Sequence, residues 1–169
     1  MEERIIKDIN DLLIQLFQKM KEAGYEWDDE KKELKEITMK YIDLGLPSGT
    51  LWADTNEEGF FAFDEAVEKC GDNLPTKEQL EELVNHCKWS WNGSGYNVTG
   101  PNGNSIILPA EGNRSCGGSV GGVGSYGDYW SSTLFGSDYT WNLRFYSGGR
   151  VVSGCRRCYG ESVRLVKNK

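Results

Sequence analysis

A chain of 169 residues, 38% of them hydrophobic, can bury the core of one domain plus a short accessory segment, so it does not need disulfide or metal staples. Its 21 glycines and 12% aromatics exclude a disordered chain and point to a loop-rich domain with tight turns. The net charge of -7 is uneven, with eight Lys/Arg against three Asp/Glu from Asn113 onward and 11 against 23 before it. The late basic residues are mostly Arg dispersed among Tyr, Ser and Gly, without a basic helix, which argues against nucleic acid as a partner.

Residues 1–4 lead straight into an amphipathic stretch, and no apolar run approaches the ~18 residues of a membrane span, so neither a signal peptide nor membrane insertion is expected. Five cysteines, Cys70, Cys87, Cys116, Cys155 and Cys158, cannot all pair within one chain, and free thiols are the expected state. Three Asn-x-Ser/Thr triplets, at Asn92, Asn97 and Asn113, read as chance matches in an Asn/Gly/Ser-rich chain.

Over residues 3–22, Ile6, Ile9, Leu13, Leu16 and Met20 recur at alternating three- and four-residue steps, the seam of a helix that Ile5, Leu12 and Phe17 widen. So broad an apolar stripe is expected to pack on its own domain or on copies of itself. Gly24 suits the position after a helix end. Tyr25, Trp27 and later apolar residues alternate with charges around a polar turn at 28–32, which reads as a hairpin, and a boundary is placed near Thr38. The expected domains are therefore 1–38, for attachment or oligomerisation, and 39–169, for ligand binding.

The second segment opens with a strand, a Pro47-Ser48-Gly49 turn and a second strand over 41–52. A helix follows over 61–70, with Phe63, Ala66 and Val67 on one side. Thr76 and Gln79 form a capping box before a helix that buries Leu80, Leu83 and Val84 and ends near Cys87, with His86 an ordinary surface residue. Strands at 96–99 and 105–108 flank the turn Pro101-Asn102-Gly103-Asn104. After a Gly-rich stretch come strands at 128–133 and 139–146, a Ser-Gly-Gly turn, and a closing strand near 161–166. In the 139–146 strand Trp141, Leu143 and Phe145 share a face, and Asn142, Arg144 and Tyr146 take the other, so one face is expected in the core and the other to be available.

Catalytic patterns are weak. Gly122-x-Gly124-x-x-Gly127 is followed by Asp128-Tyr129-Trp130 where a nucleotide-binding helix should open. Cys155-Arg-Arg-Cys158 lacks the second pair of a zinc site and the helix start of a redox motif. The single His has no nucleophile elbow to serve, and Asp128, Asp138 and Glu161 are too scattered for an acid/base couple. No enzyme, metal or cofactor is expected. What remains is a set of contact-type residues, Tyr126, Phe135, Tyr139, Trp141, Arg144, Tyr146, Arg150, Arg156 and Tyr159, separated by Gly and Ser, a mixture that gives large contact area and forked hydrogen bonds at low entropic cost. Trp130, Leu143 and Phe145 are assigned to the core.

The run Tyr41-Ile-Asp-Leu-Gly-Leu-Pro-Ser-Gly-Thr-Leu-Trp-Ala53, with Leu74-Pro-Thr-Lys-Glu-Gln79, the 98–106 hairpin, Leu108-Pro-Ala110, Tyr129-Trp-Ser-Ser-Thr133 and Ser162-Val-Arg164, resembles C-type-lectin-fold domains of gut Bacteroidetes and their phages. Those domains include the Fibrobacter major paralogous domain and are similar to the variable proteins of diversity-generating retroelements. The likeness covers 39–169. Residues 23–34 resemble a short module ahead of such domains. The resemblance implies an α+β fold of two helices, small antiparallel sheets and long loops behind the N-terminal helix and hairpin. It also implies a ligand-binding face near the C-terminus whose codons a reverse transcriptase rewrites at adenines. On that basis Asp138, Ser153, Cys155, Cys158 and Glu161 join Phe135, Trp141, Arg144, Tyr146, Arg156 and Tyr159 as variable contact positions. The implied role is a phage receptor-binding or bacterial surface adhesin component, located on the virion or cell surface, with a cell-surface protein or glycan as ligand; self-association through the N-terminal helix is the expectation its apolar stripe sets. A fixed structural virion protein, or a cysteine-dependent enzyme of the formylglycine-generating fold, is the alternative. The calcium-binding sugar signature of animal lectins is absent, since Trp141-Asn142 runs on into Leu143.

Overall fold

In the computed structural model, residues 2–28, 33–36 and 39–168 are described. The polar turn of the hairpin at 29–32 and the boundary at Thr38 lie outside them. Two compact units, Met1–Met39 and Lys40–Lys169, together carry three α-helices and several small antiparallel sheets among the described residues. No described helix is long and apolar enough to cross a membrane.

The first unit is α1 (Glu2–Glu22) and the pair β1 (Tyr25–Asp28) and β2 (Glu33–Glu36), in register with Trp27 opposite Leu34. α1 stops where Gly24 turns to φ 81° and donates its N–H to the Lys21 carbonyl at 2.9 Å, a conformation that favours glycine over side-chain-bearing residues.

The second unit closes on itself, because β3 (Tyr41–Asp43) and β4 (Leu51–Ala53) are joined by the last strand, β13 (Val166–Lys167), in the order β13-β4-β3. Between them come α2 (Phe63–Cys70) and α3 (Lys77–His86). The strands between are β5 (Lys88–Trp91), β6 (Gly95–Thr99) and β7 (Ser105–Pro109), a short pair β8 (Asn113–Arg114) and β9 (Val120–Gly121), and β10 (Tyr126–Leu134), β11 (Tyr139–Tyr146) and β12 (Gly149–Arg156). α3 begins at the expected capping box: Thr76 Oγ1 accepts from the Gln79 amide at 3.3 Å and Gln79 Oε1 from the Thr76 amide at 2.9 Å, a reciprocal pair worth about 1 kcal/mol. α2 starts at Phe63, two residues later than expected, and leaves Val67 41% exposed while Phe63 and Ala66 are buried. Glu65 caps its start by accepting from the Ala62 amide at 2.8 Å.

Two hydrophobic clusters hold the second unit. The larger packs Trp52, Leu80, Leu83, Tyr96, Val98, Tyr129, Leu143 and Phe145, the smaller Phe63, Ala66, Leu74, Trp130 and Val163. Aromatic rings interlock through the larger one, with Tyr129 stacked on Phe145 at 5.7 Å and Tyr96 edge-on to Phe145 at 5.5 Å. The glycine-rich stretch serves this packing. Gly127 lies opposite Phe145, where a Cβ would come within 2.4 Å of the ring, so a side chain there would displace the core.

Candidate functional site

The sheet β10-β11-β12 carries most of the contact-type residues, and its register decides where each points. β11 pairs along its whole length with β12, so Tyr139 lies opposite Arg156, Asn142 opposite Ser153 and Phe145 opposite Arg150. Side chains alternate between faces. Tyr139, Trp141, Leu143 and Phe145 therefore share one face, and Thr140, Asn142, Arg144 and Tyr146 the other. Neither face is wholly core. On the first, Leu143 and Phe145 are buried, Trp141 is half-buried and Tyr139 is exposed; on the second, Thr140 and Asn142 are buried and Arg144 and Tyr146 are exposed. The expectation of one buried and one available face is corrected to a diagonal. The first face is open at the start of β11 and the second at its end, because the two hydrophobic clusters cover opposite ends of the sheet.

At the open start of β11, Phe135 packs edge-on to Trp141 with ring centroids 4.7 Å apart, and Lys77 Nζ sits 4.4 Å above the Trp141 ring. Beside them Arg156 Nε donates to the Tyr139 hydroxyl at 3.1 Å. Tyr139, Arg156, Asp138 and Cys158 line an open groove of about 720 Å³ with Ala62, Asp64, Ser137 and Arg157. Arg157 crosses the groove to pair with Asp64, donates to the Ser137 carbonyl at 3.1 Å and lies over the Phe63 ring. Asp64, Ser137 and Arg157 were not legible as site residues. Arg157 adjoins Arg156, but Asp64 is 93 residues away and no local pattern connects them.

The other end is an ion-pair cluster. Asp128 is fully buried beneath Arg144, whose Nε and terminal nitrogen donate to its two oxygens at 2.7 and 2.6 Å. Asn113 also donates to Asp128 at 2.9 Å, and Asn142 Nδ2 donates to Glu161 Oε1 at 2.9 Å. These bonds hold the Arg144 guanidinium firmly charged. Arg144 covers the Tyr126 ring at 5.2 Å, and Tyr146, opposite Tyr126, is 54% exposed. Arg150 is apart from both groups, over the Trp89 ring at 5.0 Å.

Three expected contact residues belong to the interior or to a cross-link. Glu161 is fully buried, its backbone bridging to Phe61, because the segment carrying it pairs alongside β10, Ser162 bridging to Tyr129. Its Oε2 has no N–H or O–H donor. Burial, then the Asp128 charge, pushes its carboxyl well above the ordinary carboxylate range. Cys158 is joined to Cys116, which corrects the expectation of free thiols, since the 115–119 turn and the loop after β12 lie side by side. Cys155 is a thiol, half-buried, and burial pushes it up from its ordinary value. That makes it a poor nucleophile. Ser153 donates to Asn142 Oδ1 at 3.2 Å, and Tyr159 packs against the smaller hydrophobic cluster.

Among the described residues no group of three His, Cys, Asp or Glu side chains is arranged to hold a metal. His86 is the exposed last residue of α3. The formal nucleotide fingerprint resolves into turn geometry, with Gly122 and Gly124 at positive φ and Gly127 against Phe145. No family model matches the chain, and comparisons with curated proteins and with solved structures also return no match.

Proposed function

We propose that this chain is a ligand-recognition protein, a C-type-lectin-like domain of the retroelement variable type that binds a cell-surface protein or glycan as part of a phage receptor-binding or bacterial adhesin apparatus. The observation that carries the reading is the exposed, cross-strand pair Tyr139 and Arg156 at the mouth of a 720 Å³ groove, held by backbone register and not by core packing. Such positions can change side chain without changing the fold, and Tyr and Arg are the residues that dominate binding energy where surfaces meet. Two helices, small antiparallel sheets and long loops in Lys40–Lys169 accord with the lectin-like motif series, and the Cys116–Cys158 cross-link accords with an oxidising, extracellular setting. The fold alone does not carry function; the exposed residues do.

The test is flow cytometry of the fluorescently labelled full chain on a panel of intact bacterial strains. Binding to a subset of strains that falls at least about tenfold, ~1.4 kcal/mol, in Tyr139→Ala/Arg156→Ala supports the reading. Binding untouched by that double substitution contradicts the assignment of the groove.

A further inference from the structure

Among the described residues of the first unit, α1 carries the largest apolar surface left open. Ile6, Ile9, Leu13 and Leu16, with Met20 at the same spacing, form the seam, and the first four are 58%, 51%, 43% and 52% exposed. Leu12 and Phe17 extend it on either side and are 64% and 50% exposed. At 100° per residue these seven side chains occupy an arc of roughly 140° that holds no polar residue between Ile6 and Met20. The described side chains of β1 do not cover it. Tyr25 and Trp27 are themselves 43% and 42% exposed, and between them and Ile14 and Phe17 an open groove of about 550 Å³ remains.

We infer that α1 is the assembly element of this chain and that its occupant is the same helix from other copies, in a closed bundle of three or more. The open area sets the occupant. The exposed seam and edges amount to on the order of 600 Å² of apolar surface per helix, close to the ~800 Å² that each partner gives to a stable interface. The width sets the number. A two-stranded coiled coil buries the seam alone and keeps charged residues at both flanking positions, whereas here Leu12 and Phe17 occupy those flanks. A pair of helices would leave both at a wet rim, while a helix with a neighbour on each side buries seam and flanks together, and closure of that arrangement takes at least three copies. Three or more copies in one assembly would also, on the function proposed above, multiply weak contacts into strong attachment.

The experiment is sedimentation equilibrium of the full chain at micromolar concentration. A mass at least three times the 19.0 kDa of the chain is the expected result. A mass of one or two chains overturns the inference and leaves the helix to another protein or to its own chain. Leu13→Asp/Leu16→Asp is expected to weaken assembly by at least about a hundredfold and give single chains. The milder Leu12→Gln/Phe17→Gln keeps the seam and is expected to reduce the assembly to two chains, so an unchanged mass in that variant overturns the two-neighbour geometry even if the aspartate variant fails to fold.

Discussion

The two ends of the β10-β11-β12 sheet present similar residues to solvent and hold them by different means. At the Arg144 end a guanidinium lies over the Tyr126 ring and is clamped to a fully buried carboxylate, with exposed Tyr146 across from Tyr126. At the Tyr139 end an aromatic pair, Phe135 and Trp141, adjoins a guanidinium that, among the described residues, hydrogen-bonds a tyrosine hydroxyl and no carboxylate. The difference teaches that exposure does not define a free surface. Arg144 neutralises a charge the core already contains, and Arg156 carries no such duty. An arginine can be exchanged at one end and not at the other.

The largest expected effect concerns what anchors the Tyr139 end. The Cys116–Cys158 cross-link closes a sequence separation of 42 residues, and replacing both cysteines by Ser is expected to cost about 3 kcal/mol, read as a lower denaturation midpoint under non-reducing conditions. An unchanged midpoint would mean that the backbone pairing of β12 holds this end unaided. Next, Arg144→Ala leaves Asp128 buried with its amide donors alone. A loss of about 2 kcal/mol is expected, after discounting for the solvent-facing side of the guanidinium, and a neutral result would break the contrast between the ends.

Glu161→Gln should act in the opposite direction and with a pH signature. Its carboxyl is raised by burial and by Asp128, so the folded chain holds a proton that the unfolded chain has already released. Stability tied to that proton is complete below the unfolded carboxylate value and falls as pH rises toward the folded value. The variant is expected to unfold at a higher temperature than the parent at mildly alkaline pH and to show a flatter melting profile against pH. A steeper profile would place the charge elsewhere. The smallest effect belongs to Tyr139→Ala/Arg156→Ala, whose melting temperature should equal that of the parent within error. A marked drop would return both residues to the framework.

Much of the frame was legible in the residues. Thr76 and Gln79 announced α3 because capping is chemistry local to four residues, and the alternation over 139–146 matched β11 at both ends. Trp130, Leu143 and Phe145 were recognisable as core. β12 was missed, since Gly149–Arg156 has a Gly, Ser and Arg composition with no alternating apolar set; it is a strand because β11 offers it an edge. β5 was missed as well, its Trp89 and Trp91 being set by rings on neighbouring strands. The positions of Glu161 and Cys158 depend on contacts between distant segments, which spacing does not encode. The candidate site was therefore legible as a list of residues but not as a place, and its division into two ends had to come from the register.

The most direct test of the proposed recognition surface is to sequence the DNA flanking the gene, searching for a near-copy of the segment encoding residues 126–161 beside a reverse-transcriptase frame. The prediction is a near-copy that differs only at adenines, with the altered codons including Tyr139 and Arg156 and sparing buried Asp128, Asn142 and Glu161. A locus without a near-copy, or one whose altered codons fall on those buried positions, would contradict it.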